Sequence, residues 1–119
     1  MTVVDRPWGS FETIDSGTNP KYKVKKIYVK PTQRFSLQYH RYRSEHWIVV
    51  QGDGTVTVGK SPRKVSVGDY IFIPVNSNHR MESGVNGITF IEVQMGSICE
   101  EDDIVRIEDD YGRVDSVIN

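Results

Sequence analysis

A single cysteine, Cys99, in a chain of 119 residues leaves no partner for an internal disulfide, so nothing in the sequence requires an oxidising compartment. No apolar run approaches the roughly 20 residues that a membrane-crossing helix needs, and the opening stretch MTVVDRPWGSFE lacks the apolar centre of a signal peptide. Cytoplasmic residence without membrane association is the expectation. Net charge is also missing: 15 Lys and Arg against 16 Asp and Glu give −1. With no basic excess and no nucleic-acid-binding motif, nucleic acid is not expected as a partner. Helical periodicity is absent as well, save for a weak trace at Asp102–Glu108.

What is present suits one globular domain over residues 1–119, long enough for a single core and too short for two. Its ends differ from its middle. Residues 1–9 read as an irregular lead-in broken by Pro7 and Gly9, with Trp8 as the large apolar group able to anchor it. Residues 100–119 form an acidic segment. Eight of the 16 acidic residues lie between Glu100 and Asp115, and eight of the 15 basic ones between Lys21 and Arg43. That basic stretch either attracts an anionic small molecule or is a set of solvated strand faces.

The body of the chain reads as short strands separated by Gly, Asn, Ser and Pro clusters. A strand at Ser10–Ile14 ends in the turn sequence SGTNP. In KYKVKKIYVK the apolar positions are Tyr22 and Val24, then Ile27 and Val29, so the phase flips near Lys25 and Lys26, which predicts a bulge or bend. His46–Val50 runs continuously apolar, as in a strand buried on both faces. QGDG predicts a hairpin turn with TVTV as the returning strand. KSPRK reads as an exposed turn, and strands at Lys64–Pro74, Asn78–Glu82 and Gly87–Met95 are separated by VNSN and SGVNG. This pattern predicts an all-β antiparallel sandwich or barrel. Edge strands in such small folds are commonly covered, so a homodimer is expected.

Chemistry concentrates in SLQYHRYRSEHWIVVQG, residues 36–52. Gln38 and His40 stand two apart and share a strand face. Glu45 follows from the next strand, and His79 in GDYIFIPVNSNH offers a fourth donor. Converging, these four would hold one divalent ion; a mixed nitrogen and oxygen set with a single negative charge suits Zn, Mn, Co, Ni or Fe without choosing among them. His46, next to Glu45, should point to the opposite face.

This spacing resembles the two cupin motifs, with Gln38 in place of the first histidine, and Gly68, Pro74 and His79 matching the second, where Asn76 stands in place of the motif glycine. More narrowly, the chain resembles the cupin domain of type II mannose-6-phosphate isomerases, which is usually fused to a mannose-1-phosphate guanylyltransferase. The matching stretches are RPWG, SLQ, EHWIVV, IP with HR, IEVQ, EDDIVR and DYGR, in family order over nearly the whole chain. Arg41 and Tyr42 depart from the histidine cluster of that family.

The resemblance implies a double-stranded β-helix (jelly-roll) fold and metal-dependent isomerisation of mannose 6-phosphate, a phosphosugar, to fructose 6-phosphate. Such a reaction needs a base, an electrophile and a cation for the phosphate. Glu92, a carboxyl inside the apolar strand FIEVQ, is the candidate base, or else a rim residue or buried ion-pair member. Arg43, Arg80 and Arg106 are candidate phosphate ligands, Arg43 and Arg106 also catalytic ones, or else partners of the acidic segment. EEDD at Glu100–Asp103 is read as a solvated turn or helix start rather than a second metal site. A non-catalytic sugar- or sugar-phosphate-binding cupin and a cupin oxygenase are the other readings.

Overall fold

A computed structural model describes residues 2–114, and no helix occurs among them. The described residues form nine strands: β1 Val3–Arg6, β2 Gly9–Thr18, β3 Lys21–Val29, β4 Leu37–Tyr39, β5 Arg43–Val58, β6 Ser61–Ser66, β7 Tyr70–Ile73, β8 His79–Gly96 and β9 Val105–Glu108. All pairings are antiparallel. One path runs β1-β2-β3-β8-β4-β9, and β5 pairs with β6, β7 and β8.

The two long strands organise the molecule. β5 and β8 pair from Arg43↔Gly96 at one end to Val58↔His79 at the other. Their ladder breaks at Val49/Gln51 and again at Gly52/Gly54, opposite the stretch Gly84–Gly87. Here QGDG and SGVNG, read from sequence as turns between strands, are bends within strands. Gly52 has φ +77°, and a Cβ there would stand 2.0 Å from the Gly87 carbonyl oxygen; only glycine allows the two backbones to cross this closely. TVTV therefore continues β5, and the returning strand is β6, which includes most of KSPRK. The β5–β6 hairpin turns at Gly59 and Lys60 instead.

Elsewhere the N-terminal lead-in is more ordered than its sequence implies. β1 forms a hairpin with β2 in the register Arg6↔Gly9, and Trp8 packs edge-on against Phe35 at 5.4 Å. The phase change at Lys25 is accommodated on the partner strand: β3 pairs without interruption with β8, while β2 carries the bulge between Thr13 and Asp15. Lys25 consequently points inward with Ile27 and Val29, and is buried. The segment read as weakly helical at Asp102–Glu108 is a turn followed by β9.

Inside the curled sheet the core is apolar and aromatic, with Val29, Trp47, Val49, Met81, Ile88 and Phe90 almost fully buried. Trp8, Phe35, Trp47 and Phe90 form a chain of ring contacts across it. β5 is not buried on both faces: Trp47 and Val49 face inward, but Ile48 and Val50 are 40% and 44% exposed. Tyr70, Phe72 and Met95 are exposed on the same outer face, beside His46.

Candidate active site

The sequence spacing around His40 becomes a convergence of side chains because the barrel closes there. Gln38 on β4 pairs with His79 on β8. Glu45 lies near the start of β5, and His40 follows β4 at the turn between them. His40, Glu45 and His79 each offer a donor atom, all within 4.8 Å of one another, and all three are buried. His40 Nε2 stands 3.2 Å from Glu45 Oε2, and His79 Nε2 4.0 Å from Glu45 Oε1.

Backbone carbonyls orient both imidazoles. His40 Nδ1 lies 2.6 Å from the Asp103 carbonyl oxygen, and His79 Nδ1 lies 2.9 Å from that of Ser77. With those nitrogens donating, both Nε2 atoms present lone pairs toward Glu45, the arrangement a metal-ligating histidine adopts. Burial holds both imidazoles in the neutral form that metal binding needs, His79 down to about 4. Gln38 donates its amide to Ser36 Oγ at 2.8 Å, which leaves its carbonyl oxygen as the group available to the cavity it lines. The donor set thus fits one divalent ion.

Glu45 is fully buried and held below the usual carboxylate range by His40, His79 and Arg43, which outweigh its desolvation. Arg43 Nε donates to Oε2 at 2.8 Å and Trp47 Nε1 to Oε1 at 3.0 Å. Arg43 also reaches His40 Nε2 at 3.3 Å and the Glu100 carbonyl at 2.9 Å, so a metal taking His40 Nε2 displaces one of its hydrogen bonds. Glu92 is buried beside Glu45. Burial and then the Glu45 charge push its carboxyl well above the usual range, and Gln94 donates to it at 2.7 Å. Its carboxyl therefore holds a proton more tightly than an ordinary glutamate does.

These residues line a cavity of about 600 Å³ including its open mouth. Of the arginines singled out in the sequence, Arg43 and Arg106 line it and Arg80 does not. Arg80 neighbours His79 on the strand, so it faces the other way. Its guanidinium is engaged by the Phe35 carbonyl at 3.1 Å and Glu108 at 3.0 Å, the salt-bridge alternative. Arg41 and Tyr42, where the family histidines are missing, also lie outside the cavity lining. Their backbone N–H groups are capped by the Asp103 carboxylate at 2.9 and 3.0 Å. His46 lies on the opposite face, its Nδ1 2.6 Å from the Tyr70 hydroxyl.

Sequence reasoning missed Lys25, Glu101, Asp103, Arg6 and Arg113. Lys25 was hidden by its place among solvated lysines; it pairs with Glu101, and its Nζ lies 4.0 Å from the centre of the Phe11 ring. EEDD is therefore not simply a solvated turn: Asp103 is buried and supports both His40 and the β4–β5 turn. The RPWG and DYGR matches were the available signal for Arg6 and Arg113.

Comparison with known proteins agrees with this geometry. The family model described as mannose-6-phosphate isomerase C-terminal matches residues 1–109. The mannose-1-phosphate guanylyltransferase ManC of Salmonella typhimurium is 45% identical over 112 residues, 93% of this chain and 23% of that protein. The alginate biosynthesis protein AlgA of Pseudomonas aeruginosa is 46% identical over 111 residues, 92% of this chain and 23% of that protein. The chain spans under a quarter of the length of these relatives. Among solved structures, oxalate decarboxylase from Bacillus subtilis superimposes with a TM-score of 0.79 at 16% identity, covering 89% of this chain and 30% of that one. A cupin-2 domain from Rhodospirillum rubrum gives 0.67 at 19% identity, covering 79% and 67%. At such identities these two show the fold, the cupin double-stranded β-helix. The chain belongs to the mannose-6-phosphate isomerase C-terminal family.

Proposed function

We propose that this domain is a metal-dependent aldose–ketose isomerase interconverting mannose 6-phosphate and fructose 6-phosphate, or a closely related phosphosugar pair. The observation that carries the reading is the convergence of His40 Nε2, His79 Nε2 and the Glu45 carboxylate at the buried end of a cavity rich in cationic side chains. The family match at 1–109 points the same way.

His40, Glu45 and His79, with the Gln38 amide oxygen, would hold the cation. A divalent ion held there supplies Lewis acidity to the sugar oxygens near C1 and C2. The chain's own part is proton transfer and charge placement. Glu92 is the cavity carboxyl placed to move the proton: its raised pKa comes partly from facing Glu45, so compensation of the Glu45 charge lets it ionise more readily. As carboxylate it takes the proton from C2 while the carbonyl electrons move to O1, giving an enediolate; the hydroxyl proton passes from O2 to O1, and Glu92 returns its proton to C1 as C2 becomes the carbonyl. Arg43, fixed by Glu45 and the Glu100 carbonyl, sets positive charge beside the developing oxyanion.

A second reading, phosphosugar binding without turnover, draws on Arg43. Its hydrogen bonds to Glu45 and His40 balance the buried carboxylate without any metal. The two readings separate in a mannose 6-phosphate isomerisation assay on metal-stripped protein, with divalent ions restored one at a time and His79→Ala alongside. Turnover that returns with metal and is lost in the variant supports the isomerase. A folded protein that binds the sugar phosphate but turns over with no ion sinks it.

A further inference from the structure

We infer that Arg6, Arg106 and Arg113 form the subsite for the substrate's phosphate, an assignment that rests on the phosphosugar reading of the same cavity. Five cationic side chains line the cavity, Arg6, Lys25, Arg43, Arg106 and Arg113, against three carboxyls, Glu45, Glu92 and Glu101. A divalent ion at the donor cluster widens the imbalance, so the ligand that fits is an anion.

The cations divide by exposure. Arg43 is buried against Glu45, and Lys25 is buried against Glu101. Arg6, Arg106 and Arg113 are only half-buried. Arg6 contacts the Asp5 carbonyl oxygen at 3.1 Å, and its guanidinium carbon lies 5.1 Å from the centre of the Phe11 ring; no ion pair forms on it among the described residues. Arg106 stands across β4–β9 from Gln38, which carries its guanidinium to the same face as a metal donor. Arg113 is steadied by Asp109, through Nε at 2.7 Å and one terminal nitrogen at 3.2 Å, with the other terminal nitrogen making no bond to Asp109. Trp8, Phe11, Ile27, Phe35 and Ile104 give the cavity an apolar wall.

A hexose phosphate has this polarity, with reacting carbons at one end and a dianion at the other. Arginine is suited to hold that dianion through planar, paired N–H donors. The three arginines come from the β1–β2 hairpin, from β9 and from the stretch after it, so both ends of the chain build the subsite.

Calorimetric titration of the metal-loaded full chain with mannose 6-phosphate and with mannose tests this, using wild type, Arg6→Gln and Arg113→Gln, with turnover measured in parallel. The wild type is expected to prefer the phosphorylated sugar, and each variant to lose roughly ten- to a hundredfold in affinity for it, the worth of one charge-assisted contact. Affinity for mannose should stay unchanged. Arg6→Gln disturbs only a backbone contact and a ring face, so it decides the matter even if Arg113→Gln weakens folding through Asp109. Absence of a phosphate preference in the wild type, or unaltered mannose 6-phosphate affinity in a folded Arg6→Gln, overturns the subsite. A phosphate preference that depends on these arginines, without turnover, overturns the isomerase reading and keeps the subsite.

Discussion

Trp47→Phe tests how the candidate metal carboxylate is held. The substitution keeps an aromatic ring between Phe35 at 6.0 Å and Phe90 at 4.5 Å but removes the indole N–H that reaches Glu45 Oε1 at 3.0 Å. Glu45 keeps its Arg43 contact on Oε2 at 2.8 Å, so its charge stays paired while one oxygen loses the donor that orients it. A hydrogen bond to a buried charged acceptor is worth about 1.5–3 kcal/mol. Carried wholly into metal affinity, that is a loss of roughly ten- to a hundredfold, within the range of other groups that orient ligands from behind. Competition against a chromophoric chelator at neutral pH, with cobalt or zinc, measures it. Thermal melting of the metal-free protein separately records the packing lost with the smaller ring. A folded Trp47→Phe that binds metal within twofold of wild type would refute the claim that the indole orients Glu45.

Acid should destabilise the metal-free protein between about pH 6.5 and 4. His79 is held neutral down to about 4 and His40 is lowered too, so below their ordinary range the unfolded chain binds more protons and stability falls. His79 alone accounts for at most about 3 kcal/mol of that. Glu45, depressed, adds to the loss below its unfolded range, while Glu92, raised, acts oppositely and loses its contribution as pH rises above 4.5. Melting temperatures across pH should show this limb, flattened in His79→Gln; an unchanged limb refutes the assignment to His79. Gly52→Ala places a Cβ 2.0 Å from the Gly87 oxygen at positive φ, and is expected to cost at least about 2 kcal/mol in chemical denaturation, since the strain adds to the usual left-handed penalty. A homodimer through the exposed outer face is proposed, with a second copy as occupant: Ile48, Tyr70 and Phe72 are exposed and uncharged there, and a second copy would bury them without stranding a charge on any of the three. Phe72→Glu should shift a dimer to monomer in sedimentation, and a monomeric wild type would refute it.

The candidate metal donors were legible because their spacing is local. Gln38 on β4 and His40 just after it stand two apart, Glu45 lies near the start of the next strand, and His79 belongs to a second short motif. Lys25 and Glu101 were not legible, since they meet across 76 residues and nothing in the local alternation marks one lysine among several as buried. The bends at Gly52 and Gly87 were misread for a physical reason: a cluster of Gly and Asn allows left-handed backbone both at a hairpin and inside a bulged strand. Glu92 was found as a carboxyl in an apolar strand, but its raised pKa comes from burial and from Glu45 standing beside it, surroundings that only the folded sheet supplies.

The β5–β8 ribbon has a consequence for how the fold would be tied together. Glu45 pairs with Gln94 near one end of that ladder, and His79 pairs with Val58 at the other, yet their side chains come within 4.0 Å. A cation shared by Glu45 and His79 would act as a clasp joining the two ends of one ribbon into a ring. Its removal should then be felt at the middle of the ribbon, around Gly52 and Gly87, as faster amide exchange far along the backbone from the donors.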